Sequence, residues 1–156
     1  MRGAVRARDR ETRNPSARGK RACIPPSLAN LLLVADAPDH AVTLVVPAAP
    51  DYLRLARLAS ADAGSRAGFD FEEIDDLRIA VTELCHLLIG DGTDGELRLQ
   101  FTAEDGTVTV AGYSARPGAP SDNAFSETIL SQVVDEHAVR DDDDGRHFHL
   151  LKKRRS

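Results

Sequence analysis

The sequence predicts an α+β protein: a two-layer sandwich with helices on one face of a mostly antiparallel sheet. Three observations carry that prediction. In residues 70–89, Ile74, Leu77, Val81, Leu84 and Leu88 recur at spacings of three and four, which marks a helix with one buried face. Residues 96–103 and 107–114 each alternate in a period of two around Glu104, Asp105 and Gly106, which reads as a hairpin. The full order of elements, β-α-α-β-β-α-β-β, supplies five strands for one sheet and three helices to cover one side of it.

Taken in order, residues 1–37 form a basic leader rich in Arg, Ser, Pro and Gly, with no apolar periodicity beyond 28–34, and are expected to be disordered. The domain proper is expected over 38–153, with a basic tail at 154–156. Residues 41–46 are short and β-rich, hence a strand. Pro50 and Asp51 open a helix through about Arg66, with Leu53, Ala56 and Ala63 among its apolar positions, and Gly68 ends it. Asp70, Glu72 and Glu73 then place negative charge where the next helix has its positive end. Gly90, Gly92 and Gly95 mark the loop before the hairpin, and residues 115–122 form the loop after it. A third helix is expected over 125–137 with Phe125, Ile129, Val133 and Val134 inward. Residues 138–140 extend, 141–145 turn, and 147–153 return as the last strand.

With 156 residues, 42% hydrophobic, the chain suits one domain with a sizeable core. Aromatics make up only 4% and Trp is absent, so that core is aliphatic. Charge is unevenly spread. Residues 1–21 carry a net +6 and residues 152–155 add +4, which leaves −15 on residues 22–151 within a total of −5. An acidic body is poorly suited to direct contact with nucleic acid, which needs cationic surface, and is better suited to docking on a basic partner or to staying soluble. The two cysteines, Cys23 in the leader and Cys85 within a helix, are badly placed to pair, which fits a reducing cytoplasm. Residues 27–37 imitate a secretory signal, but the apolar run is short, Asn30 interrupts it, and the basic residues lie far upstream. No segment approaches the roughly 20 apolar residues that span a bilayer.

Candidate metal chemistry is thin at this level. His147 and His149 share a face of a strand and His137 could approach them, yet no third ligand is fixed and no Cys lies near. Asp141 to Asp144 with Gly145 lack the ligand spacing and terminal Glu of a calcium loop, and read as a charged tight turn. No Gly-x-Ser-x-Gly, phosphate-binding P-loop or Cys-x-x-Cys is present.

The run IDDLRIAVTELC, residues 74–85, resembles the first conserved block of the anti-sigma-factor serine kinases, a branch of the GHKL (histidine kinase-like) ATPases. VTLVVPAAPDYLRLARL at 42–58 is similar to that branch's first strand and helix, and AGFDFEEIDDLRIAVTEL at 67–84 to its link and second helix. The resemblance covers about residues 41–153. It implies the histidine kinase-like ATPase fold, with Glu83 at the position of the general base. It also implies that Arg57, 26 residues before Glu83, stands where the family contacts a sigma factor, with Leu53 and Arg54 on the same partner-binding surface. Family members use ATP and magnesium, but the boxes that hold them are altered here. Leu87 replaces the Asn that holds magnesium, and Leu offers no oxygen to a hard cation. Gly112, Tyr113 and Ser114 align with an Asp-x-Gly whose Asp accepts from adenine. Residues 121–127 contain no Gly where the family cradles phosphates, and two acidic residues instead. The expectation is therefore no bound cofactor, no metal, and a vestigial Glu83. The implied partners are a sigma factor, a STAS-type anti-anti-sigma protein, or both, and the family commonly dimerises through its first strand and helix. The implied activity is control of transcription by partner switching. The competing expectations are an active ATP-dependent serine/threonine kinase acting on an anti-anti-sigma protein, and a pseudo-ATPase in a complex without a sigma factor.

Overall fold

A computed structural model describes residues 40–91, 94–115, 118 and 124–156. Expectations for the leader and for residues 121–123 lie outside the described residues. The elements run β1 (Val42–Pro47), a 3-10 turn (Pro50–Tyr52), α1 (Leu53–Arg66), α2 (Phe71–Ile89), β2 (Glu96–Glu104), β3 (Thr107–Ser114), α3 (Ala124–Val133), β4 (Glu136–Asp142) and β5 (Gly145–Lys153). The strands form one sheet in the order β1-β2-β3-β5-β4, every neighbouring pair antiparallel. The α+β sandwich is therefore as expected.

Local chemistry explains the boundaries. Asp70 accepts from the Glu73 amide at 2.8 Å while the Glu73 carboxylate accepts from the Asp70 amide at 2.9 Å, a reciprocal capping box that starts α2. The β2–β3 turn has φ of 46° at Asp105 and 73° at Gly106, the doubly positive pair that a tight two-residue hairpin needs. The inner face of the sheet presents Leu97, Leu99, Phe101, Val108, Val110, Phe148 and Leu150 to a helical layer built on Leu77, Val81, Leu84 and Leu88. Small residues on α1 (Ala56, Ser60, Ala63, Gly64) bring it close to α2. A Cβ on Gly64 would stand 2.9 Å from Ile74 Cγ1.

Two expectations fail around α3. Phe125 is 75% exposed, whereas Ile129, Val133 and Val134 are partly buried as expected and Leu130, not expected inward, is fully buried. The buried line of the helix is centred on Ser126, Leu130 and Val133, about one residue's rotation from the expected one, which leaves Phe125 to solvent. The helix also ends at Val133, four residues early, because the chain is captured there. Lys152 Nζ donates to the Val133 carbonyl at 2.6 Å, and the Asp135 amide donates to the Leu151 carbonyl at 3.1 Å.

The basic tail is also part of the domain. The Arg154 amide donates to the Gly106 carbonyl at 2.7 Å, the Arg155 amide to the Glu73 carboxylate, and Arg155 Nη2 lies 2.9 Å from Asp76.

Candidate functional site

Glu83 and Leu87 sit one turn apart in the last half of α2, facing the space between the helices, the inner sheet face and the start of α3. Glu83 is half-buried and accepts from Ser126 Oγ on α3 at 3.0 Å. That bond was not foreseen from the sequence, because its partners lie 43 positions apart and leave no local pattern. The structure makes residues from Ala124 onward the first turns of α3, so Ser126 lies over α2 rather than over a ligand.

The end of α2 has carbonyls without helical partners, as every helix does. Here those of His86, Leu87 and Ile89 are satisfied internally. Arg146, 6% exposed, donates through Nη1 to the Leu87 carbonyl at 2.7 Å and through Nε to Asp141 Oδ1 at 2.6 Å. A guanidinium at this negative helix end is electrostatically favourable. The Gly118 amide donates to the Ile89 carbonyl at 2.9 Å. Sequence reading missed Arg146. Its one signal was an arginine between the charged turn and an apolar strand, and that does not reveal a role.

Across from α2, Gly112 on β3 pairs directly with Phe148 on β5. The Phe148 ring fills the place where a side chain at 112 would project, so a Cβ there would stand 2.2 Å from Cε1. Phe148 is 3% exposed and Leu87 4%, so both belong to the core. Neighbouring Tyr113 points to the opposite face of the sheet, where its hydroxyl donates to the Asp144 carbonyl at 2.8 Å. Burial, with the Asp144 charge adding, pushes its phenol above the ordinary range, against a smaller opposing effect of Arg98. The Ser114 hydroxyl is buried next to Arg146 in the ladder and has no hydrogen-bond partner among the described residues.

The residues expected to touch a partner divide. Arg54 and Arg57 are exposed on α1, together with Leu55 and Leu58, and Tyr52 lies exposed in the turn before it. Leu53 is only 3% exposed and packs in the core, so it cannot join that surface. It is the first residue of α1, and its side chain falls on the same stripe as Ala56, Ser60 and Ala63. The histidines divide too. His137 faces the helical layer and lies 2.9 Å from Glu127 of α3, whereas His147 and His149 pair with Tyr113 and Ala111 on the opposite face.

Comparison with known proteins gives a consistent picture. The family described as histidine kinase-like ATPase domain matches residues 46–150. Among curated proteins, the chain is 41% identical over 66 residues to the serine-protein kinase RsbW of Bacillus pumilus, covering 38% of this chain and 41% of that protein. It is 42% identical over 69 residues to the protein of the same name from Listeria monocytogenes, covering 44% and 40%. With that of Bacillus subtilis it shares 34% identity over 64 residues, covering 38% and 40%. The chain thus spans about two fifths of the length of the curated relatives it matches. Among the described residues, no helix is long and apolar enough to cross a membrane.

Proposed function

The chain belongs to the histidine kinase-like ATPase domain family, and we propose that it acts as an anti-sigma-factor-like regulator without ATP turnover. In this reading it binds a sigma factor, or an antagonist of one, through the exposed face of α1, and controls transcription by exchanging partners. The observation that carries the reading is the Phe148 ring packed against Gly112, where the family resemblance calls for an adenine-accepting carboxylate. No acidic side chain fits there unless the ring moves.

The other groups suit a magnesium nucleotide equally badly. Leu87 presents only carbon from its side chain, and its carbonyl already takes a hydrogen bond from the Arg146 guanidinium. A divalent cation at that point would face a fixed positive charge at close range. Glu83 is already engaged by the Ser126 hydroxyl at 3.0 Å. By contrast, Arg57 is exposed and joins no ion pair among the described residues, which leaves it available to an outside carboxylate. The acidic body favours fast encounter with a basic partner.

Calorimetry with millimolar Mg-ATP should give no saturable heat. A dissociation constant below about 100 μM, roughly −5.5 kcal/mol, would sink the proposal. Affinity purification from the native host should recover a sigma factor or a STAS-type protein. A second reading, an active serine/threonine kinase acting on an anti-anti-sigma protein, draws on the presence of Glu83 and on the serine-protein kinase name of the relatives. Saturable ATP binding with phosphate transfer to a STAS-type protein would select it.

A further inference from the structure

The open face of the sheet carries a cluster that the proposed function does not use. Asp142 ends β4, Asp144 lies in the two-residue turn after it, and His147 stands near the start of β5. One carboxylate oxygen from each Asp and one imidazole nitrogen lie within 4.8 Å of one another. His147 Nε2 is 3.5 Å from Asp144 Oδ1 and 3.7 Å from Asp142 Oδ2. These separations are long for hydrogen bonds. They suit three ligands around one ion, because donors about 2.0–2.2 Å from a shared metal stand about 3–4 Å apart.

The surroundings hold the three groups in place. The Tyr113 ring packs on the His147 ring with centroids 4.7 Å apart, and the Tyr113 hydroxyl fixes the Asp144 carbonyl at 2.8 Å. Gly145, with φ 149°, lets the turn press on the end of β3; a Cβ there would stand 2.3 Å from the Ser114 carbonyl oxygen. The turn is therefore seated against β3. The sequence hid this set because 141–145 reads as one turn. The structure continues β4 through Asp142 and starts β5 at Gly145, and that register brings both carboxylates to His147.

We propose that Asp142, Asp144 and His147 bind one divalent first-row transition-metal ion, with zinc as the test case. One imidazole with two carboxylates favours such an ion over calcium or magnesium, which take all-oxygen sets. Three protein ligands leave a position for water. The ion offsets the repulsion between two facing carboxylates. It competes with Arg140, whose Nε is 3.4 Å from Asp142 Oδ2. Asp141 is held by Arg146 and stays outside the set, and Asp143 is exposed beside it.

The test is calorimetry of ZnCl2 into tag-free, chelator-treated full-length protein in a Cys23→Ser background, which removes the leader thiol as a zinc ligand. One site per chain is expected, with a dissociation constant below about 100 μM. Asp144→Asn and His147→Asn should each weaken it by at least about 10-fold, with melting temperatures showing that both variants are folded. His149→Asn, on the same face one pair further along, should leave it unchanged, and calcium should give no saturable heat. Cobalt provides a second readout: its visible absorption should appear in the parent and be lost in His147→Asn. Absence of saturable zinc binding overturns the proposal. So does binding that survives Asp144→Asn, or that depends on His149 as strongly as on His147.

Discussion

The C-terminal end of α2 and the outer face of α1 belong to the same helical layer and are built in opposite ways. At the end of α2 the polar groups are spent on one another, Arg146 on Leu87 and Asp141 and Ser126 on Glu83, while the apolar Phe148 ring covers the bare backbone of Gly112. On α1 the side chains at 54, 55, 57 and 58 point to solvent, two of them cationic and two apolar. The first region has become core, and substitutions there should act on stability. The second contributes little to the fold, and substitutions there should act on binding.

The sharpest way to break this comparison is at Gly112. A methyl group there meets the Phe148 ring at 2.2 Å, so Gly112→Ala should cost about 3 kcal/mol, or prevent folding, through overpacking against that buried ring. Phe148→Ala should cost a similar amount, about 3–5 kcal/mol, from the cavity it leaves. The double variant carries the information. If the ring is the obstacle, Gly112→Ala should become nearly harmless once Phe148 is Ala, a coupling of at least about 1 kcal/mol in denaturant melts. Simple additivity would show that the two do not compete for one space.

Arg146 comes next. Arg146→Met keeps much of the volume but leaves the Leu87 carbonyl buried without its donor, at a cost of about 2 kcal/mol. The Asp141 side chain is 64% exposed and can turn to water, so its loss adds little. Arg146→Lys should recover only part of the stability, since an ammonium lacks the planar fork that serves Leu87 and Asp141 together. Full recovery would mean that charge alone matters at this end of α2.

How much of this was legible in the sequence follows from the kind of signal each part leaves. The helix stripe of α2, the Asp105-Gly106 turn and the alternation of β2 and β3 depend on residues close in sequence, and they were read correctly. The altered boxes at Leu87 and Gly112 were visible only through the family resemblance. What occupies those places was not: Phe148 lies 36 positions after Gly112, and Arg146 59 after Leu87. Such contacts leave no local pattern. The same holds for α3, where tertiary capture by Lys152 ended the helix before its own sequence would have. Leu53 was read both as an apolar position of its helix and, through the resemblance, as part of the partner surface; its burial beside Ala56 and Ala63 keeps only the first.

A pH test probes the core side of the comparison. Cys85 is fully buried on α2, and burial pushes its thiol well above the ordinary value of 9.0. The folded state thus keeps the proton that the unfolded state loses, so the contribution is intact below about pH 9 and stability falls as pH rises past it. Between pH 8 and pH 10 this one group should remove about 1.4 kcal/mol. The measurement is the difference between parent and Cys85→Ala in urea melts at the two pH values. Equal slopes would mean that the thiol titrates alike in both states, contrary to its burial.

The smallest effect on the fold is expected at Arg57, on the open side of the comparison. Arg57→Glu removes no ion pair that the described residues record, because the neighbouring Asp62 is already bonded to Arg66 at 2.9 Å. Stability should therefore change by less than about 0.5 kcal/mol. Binding should behave differently. If Arg57 meets a carboxylate of the partner, charge reversal turns a charge-assisted bond into repulsion and should cost about 2–5 kcal/mol of affinity. The check is to measure both quantities on the same preparation: a melt of the free protein, and co-purification with whichever partner the parent captures. An unchanged melt with lost binding separates the two regions as argued. A destabilised variant would place Arg57 within the fold's own network, and binding retained within about threefold would move the partner surface elsewhere on α1.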